Sequence, residues 1–104
     1  MIAKIIDIID SDRETKRYKI VLNNGKTYNF GLKGASTYID HHDKQKRDSY
    51  LKRHLASPLE KNLIINLVPS PALFSAALLL GPNESLDDNI KHLNEVFEKY
   101  NINI

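Results

Sequence analysis

The chain has 104 residues with 41% hydrophobic and 27% charged side chains, a formal charge of +2 and no cysteine. That length supplies one modest core rather than two, and the missing cysteines exclude disulfides, thiol nucleophiles and the usual zinc-finger ligand sets. No apolar run approaches the roughly 20 residues of a membrane span, and Met1 to Asp10, interrupted by Lys4 and Asp7, does not read as a signal peptide; a soluble protein is expected.

Ile2 to Ile9 is β-branched and predicts a first strand. Alternation places Ile2, Ile6 and Ile8 on one face and Ala3, Ile5 and Ile9 on the other, which predicts a central or well-covered strand. Asp10 to Thr15 is polar turn material. Lys16 to Leu22 and Lys26 to Phe30 then flank Asn23-Asn24-Gly25, a strong hairpin signal. A two-residue loop would set Leu22 opposite Thr27 and mix the faces. A three-residue loop with Gly25 left-handed sets Ile20 opposite Tyr28 and Tyr18 opposite Phe30, so burial of one face selects it. The prediction is a three-stranded antiparallel meander.

Gly31 and Gly34 bracket Leu32-Lys33, a loop that turns sharply or lets a ligand approach its backbone. Ala35 to Asp40 reads as a short fourth strand or an extended link, with Tyr38 and Ile39 half buried. Asp43 is a good N-cap for a basic helix ending at Ala56. Along it, Arg47, Tyr50, Leu51, His54 and Leu55 share one side, while Lys44, Lys46, Lys52 and Arg53 spread over the rest.

Ser57-Pro58-Leu59-Glu60 reads as a capping box that opens a helix running to Pro69. Ser70-Pro71 starts another, closed by Gly81-Pro82 and apolar nearly all round, which marks it as the buried central helix. Ser85 caps the last helix, where Leu86, Ile90, Leu93, Phe97 and Tyr100 form one stripe and Asn101 to Ile104 a short tail. The expected architecture is a single α+β domain over residues 1–104. In it the meander is followed by a basic helix and three further short helices packed on the sheet.

Chemistry concentrates between Phe30 and His54, where Lys33, Lys44, Lys46, Arg47, Lys52 and Arg53 outnumber Asp40, Asp43 and Asp48. The segment from Asn83 has an acidic excess, so a basic side and an acidic side are expected. Asp40, His41, His42 and Asp43, with His54 one helix away, have metal-ligand chemistry. Adjacent side chains diverge, however, and a metal site needs three or four oriented ligands. No metal and no other cofactor is expected. Asp-His-His occurs in metal-dependent phosphoesterases, but their further acidic motifs are missing, as are a nucleophile elbow, a Walker loop and a zincin helix. The chain is therefore expected not to be an enzyme, with a metal-dependent nuclease using Asp40, His41, Asp43 and His54 as a distant reading. Nucleic-acid binding would draw on Gly31, Lys33, Gly34, Lys44, Lys46, Arg47 and Arg53 as phosphate contacts, with Tyr38 and Tyr50 nearby. Protein interaction would draw on apolar helices that exceed what three strands need for cover.

Phe30-Gly31-x-Lys33-Gly34, followed by Tyr38, Asp40, His41, Asp43, Arg47, Tyr50 and Arg53-His54, resembles a family of small uncharacterised proteins. They are encoded by large nucleocytoplasmic DNA viruses, with relatives in some phages. A second block is similar: Ser75, Leu78-Leu79, Ser85-Leu86, Asn89-Ile90 and Phe97. The chain departs from the pattern at Leu80, where an aromatic residue is expected, and in the Ser57 to Pro69 helix. The resemblance implies a viral origin and carries no catalytic residues. It implies a virion-associated structural protein, such as a minor capsid or cement protein, in the virion or the host-cell cytoplasm. Its partners would be other virion or host proteins, and in the alternative DNA. The expected binding residues are Gly31, Lys33, Gly34, Tyr38, Lys44, Lys46, Arg47, Tyr50, Arg53 and His54.

Overall fold

In the computed structural model, which describes residues 1–104, the chain first reverses at Asn23-Asn24-Gly25. Gly25 sits at φ +86°, where a side chain would be strained. The loop is closed by Leu22 N–H to Lys26 O and Gly25 N–H to Leu22 O, both 2.9 Å. It joins β2 (Lys16–Leu22) to β3 (Thr27–Leu32), and the register sets Ile20 opposite Tyr28 and Tyr18 opposite Phe30, as predicted. With β1 (Ile5–Asp10) the sheet is antiparallel in the order β1-β2-β3.

The position of β1 differs from expectation. It is an edge strand, not a central one, and a bulge between Ile5 and Asp7 breaks its alternation. Ile5 and Ile8 both face the core, while Ile6 and Ile9 stand 57% and 46% exposed. Apolar residues at both parities thus reflect an inserted residue rather than two covered faces. The free edge is managed in part by a side-chain amide. Asn94 accepts from Ile5 N–H at 2.8 Å and donates to Ile5 O at 3.1 Å, while on the opposite side, continuing β2, Asn23 accepts from Lys4 N–H and donates to Ile2 O. The C-terminal tail completes the edge, with Ala3 N–H to Ile102 O at 2.7 Å and Ile104 N–H to Met1 O at 3.0 Å.

After the sheet come α1, a single turn over Tyr38–His41, then α2 (Lys44–Ala56) and α3 (Pro58–Ile65). The segment expected to be a strand or link is therefore helical at its end, and Tyr38 is fully buried rather than half buried. Neither α2 nor α3 contains a buried residue. They pack chiefly on each other and on α4 (Pro71–Phe74). The helix predicted to reach Pro69 stops at Ile65, because Leu67 turns left-handed at φ +54°. Val68 N–H then bonds Leu63 O at 2.9 Å and Leu67 N–H bonds Ile64 O at 3.2 Å. A leucine there costs about 1–2 kcal/mol of backbone strain, offset by its packing on the core.

The α4 helix continues as a π turn over Ser75–Leu79, closed by Leu80 N–H to Ser75 O at 3.2 Å. This is the buried central segment the sequence predicts: Leu73, Phe74, Ala76, Leu78, Leu79 and Leu80 are all buried. The Phe74 ring meets Tyr28 and Phe30 of the sheet at 5.4 and 6.0 Å between centroids. The last helix, α5 (Leu86–Lys99), buries Leu93 and Phe97 and half-buries Leu86 and Ile90. Tyr100 leaves the expected stripe and is 59% exposed. The helix has ended there, with Asn101 left-handed and Ile102 N–H bonded to Phe97 O at 3.0 Å. Fully buried Asn89 accepts from Asn83 N–H and donates to Leu78 O and Asn83 O, each at 2.9 Å, tying α5 to the π turn.

Gly81 is fixed by contact rather than by φ: a Cβ there would lie 2.1 Å from Ala77 O and 2.8 Å from the Asn89 side chain. Gly34, at φ +85°, has empty space around it. Gly81→Ala should therefore cost about 2 kcal/mol or more in urea unfolding, and Gly34→Ala only about 1 kcal/mol. Equal costs would show that the chain closes around position 81 less tightly than this.

Candidate functional site

The expected site stretch is built from local satisfaction of polar groups. Asp40 at the third position of α1 accepts from Thr37 N–H at 2.8 Å and Thr37 hydroxyl at 3.1 Å, which sets the turn. The same carboxylate receives both Arg17 guanidinium N–H groups at 2.7 Å, a bidentate pair from β2. Arg17 holds the Asp40 carboxyl well below the usual carboxylate range, assisted by Thr37 and opposed by partial burial. The Arg17 guanidinium is in turn pushed up by Asp40.

His41 Nδ1 accepts from Asp43 N–H at 2.8 Å, so its hydrogen lies on Nε2, a buried atom with no partner. His42, left-handed at φ +57°, ends α1, and its ring meets Glu84 at 3.0 Å on the surface. Asp43 caps α2 as predicted, accepting from Gln45 N–H at 3.0 Å and Lys46 N–H at 3.2 Å. His54 Nδ1 lies 3.1 Å from a Glu60 carboxylate oxygen, joining α2 to α3. Glu60 is therefore not the back-bonding half of a capping box. Ser57 N–H is already taken by His54 O, because Ser57 both ends α2 and starts α3. No three His, Asp or Glu side chains come together with metal-binding geometry. The set Asp40, His41, Asp43 and His54 is thus dispersed along α1 and α2 as structural contacts.

Several expected binding residues have internal roles. Tyr38 is buried, and Arg47 lies over its ring at 4.7 Å with the guanidinium also on Asp48, so neither is a free surface contact. Gly31, at φ +77°, is pressed against the π turn: a Cβ would stand 3.0 Å from Leu79 and 3.2 Å from Arg17. Lys33 is exposed, and its N–H closes the meander on Thr15 O at 3.0 Å.

The remaining residues divide by flank. Lys46, Tyr50 and Arg53 line a hollow of about 680 Å³ facing Ala35 and Ser36 on the β3–α1 loop. Lys52 lies on the opposite flank with Asp48 and Leu55, the side that Lys44, two turns earlier, shares by helical period. The cations of α2 are therefore split rather than gathered on one face. On the far side of Tyr50 a second hollow of about 490 Å³ opens, lined by Gly31, Leu32, Ala72, Leu79 and Leu80, with Lys16, His54 and Glu60 among its polar residues. Ala35, Ser36 and Tyr50 border both hollows, so the two form one groove between the loop and α2. Lys16, Ser36 and Ala72 carry no local sequence signal; they meet only because α4 passes beneath the end of β3.

The Arg17–Asp40 pair has a defined pH signature. A carboxyl held low in the fold stabilises above its unfolded value, about 3.9, and that contribution is lost as the pH falls through and below it. Because the pair is partly exposed, Asp40→Asn should cost about 1 kcal/mol at neutral pH, a difference from the parent that shrinks below pH ~4. A pH-independent difference in thermal unfolding would mean that the pair is not what holds Asp40. Arg47→Ala should cost about 1 kcal/mol through its lost stack on Tyr38, whereas Lys52→Ala should be near neutral in the same assay.

Over residues 6–54 the chain matches a protein-family model described as "Family of unknown function (DUF5754)". The matched stretch takes in nearly all of the sheet, α1 and α2 as far as His54, and leaves out α3, α4 and α5. No curated protein and no solved structure matches the chain.

Proposed function

We propose that this chain is a small non-enzymatic protein-binding domain, a minor structural component of a viral particle. It meets an acidic protein surface through the groove flank of α2. The observation that carries the reading is uncompensated charge beside apolar surface. Lys46 and Arg53 pair with no carboxylate, and the Arg53 guanidinium lies over the ring of Tyr50 at 5.2 Å, which leaves Tyr50 39% exposed. Beside Tyr50 the groove is bordered by Leu32, 63% exposed, which favours a protein surface over bare solvent. The viral part of the reading rests on the resemblance of the Phe30 to His54 stretch, and it places the chain in virions or the host-cell cytoplasm.

Nucleic-acid binding has less support. Of its proposed phosphate contacts, Arg47 is spent on Tyr38, Gly31 is packed against Leu79, and Lys52 sits on the other flank from Lys46 and Arg53. The metal-nuclease reading has least, since Asp40, His41, Asp43 and His54 each have a partner within the chain.

Titration of a fluorescent DNA duplex across a salt series tests this choice. Two cations on one flank predict weak binding with a logarithmic salt slope of about −2. A slope of about −4 or steeper, lost in Lys46→Glu/Arg53→Glu, would transfer the site to nucleic acid. A photo-cross-linking residue in place of Tyr50 should yield nuclease-resistant protein adducts in purified particles.

A further inference from the structure

We infer that the groove between the β3–α1 loop and α2 takes an extended acidic segment of a partner protein, with one apolar side chain seated over Leu79 and Leu80. The inference rests on the acidic-partner reading and adds the form of the ligand and the pocket that selects it. Three observations carry it.

The first is charge. Along both hollows the one carboxylate is Glu60, and His54 stands 3.1 Å from it. Lys16, Lys46 and Arg53 border the same hollows and have no acidic partner. The Lys46–Arg53 half of the groove is therefore net positive while Lys16 balances Glu60 in the other, and the field of such a walled cleft is focused on a ligand inside it.

The second is the contrast between the two halves. The hollow on the His54 side reaches the core: Leu79 and Leu80 are 2% and 5% exposed, yet they line it together with Ala72 and Gly31. Its volume of about 490 Å³ lies within the range of formed ligand pockets, and its apolar floor suits one branched or aromatic side chain. The half beyond Tyr50 is polar and basic, lined by Gln45, Lys46, Ser49 and Arg53. One ligand must therefore present an apolar group at one end and negative charge along the rest.

The third is shape. The two hollows adjoin, sharing Ala35, Ser36 and Tyr50 at their border, so a ligand seated in one can extend into the other. An extended peptide advances about 3.3 Å per residue, so successive side chains reach both halves. A DNA duplex presents no apolar side chain for the floor, and its phosphates would also call on Lys44 and Lys52 across the helix.

The test is fluorescence anisotropy on the 104-residue chain, with a labelled heptapeptide of Glu and Asp carrying one terminal Phe, the same peptide with Gly in its place, and a labelled duplex. The Phe peptide should bind about tenfold or more tighter than the Gly peptide. Ala72→Phe, which fills the pocket, should erase that difference while leaving the weak binding of the Gly peptide. Should Ala72→Phe misfold by circular dichroism, Ser36→Trp on the exposed loop obstructs the same groove. Lys46→Glu/Arg53→Glu should abolish binding of both peptides. Equal affinity for the Phe and Gly peptides would overturn the anchored-segment inference and leave the acidic-partner reading intact. Binding of the duplex with neither peptide bound would overturn both, and so would an absence of all binding.

Discussion

One carboxylate organises the approach to the groove. Asp40 is bonded at once to its own turn through Thr37 and to β2 through both N–H groups of Arg17. That double use fixes where α1 stands against the sheet, and with it the burial of Tyr38 two residues earlier in the same turn. Tyr38 then offers its ring face to Arg47 at 4.7 Å, which is how α2, a helix with no buried residue, is seated on the domain. A cation on an aromatic face contributes about 1 kcal/mol at such a site, little alone, but it acts beside the Asp43 cap and the His54–Glu60 contact. The basic helix is held by a relay of polar contacts together with Leu51, which packs against the core.

The floor of the groove has the opposite character. Leu79 and Leu80 come from a π turn, whose wider winding lets Leu78, Leu79 and Leu80 all be buried in succession. The turn is locked on one side by Asn89 bonding Leu78 O and on the other by Gly31, which lets Leu79 approach β3. Glycine 31 thus serves the groove by what it lacks. Its missing side chain is what brings sheet and turn together.

Much of the fold was legible from residues 16 to 30. The Asn23-Asn24-Gly25 loop and the demand that Tyr18, Ile20, Tyr28 and Phe30 share a face leave one register, and the structure has it. The caps at Asp43, Ser70 and Ser85 were equally readable, because each accepts from an N–H two or three residues away. What failed was whatever depended on distant partners. The β1 bulge inverts the parity of its isoleucines, and Asn94, 89 positions away, supplies the edge that makes the bulge tolerable. Leu67 takes a left-handed conformation usually left to glycine because the core rewards its side chain. The same limit applies to the site: nothing in the Phe30 to His54 stretch shows that Tyr38, Gly31 and Arg47 are taken up by contacts within the chain. Lys16 and Ala72 complete the groove from elements that no spacing rule connects.

These two halves differ in how firmly they are held. The α2–α3 hairpin rests on caps, one stack, one histidine–carboxylate contact and the packing of Leu51 on the core, and buries no residue fully; such segments open at free energies below that of global unfolding. The floor belongs to the cluster formed by Phe30, Phe74, Leu78 and Phe97, whose disruption is unfolding itself. A groove with one compliant wall and one rigid floor can vary in width without losing its apolar end. The wall less firmly held carries Lys46, Tyr50 and Arg53, and the floor held by the core carries Leu79 and Leu80. Charge pairing tolerates such adjustment, since a Coulomb interaction falls only slowly with distance, whereas close packing does not. The division of labour between the elements therefore follows from which of them the core can hold.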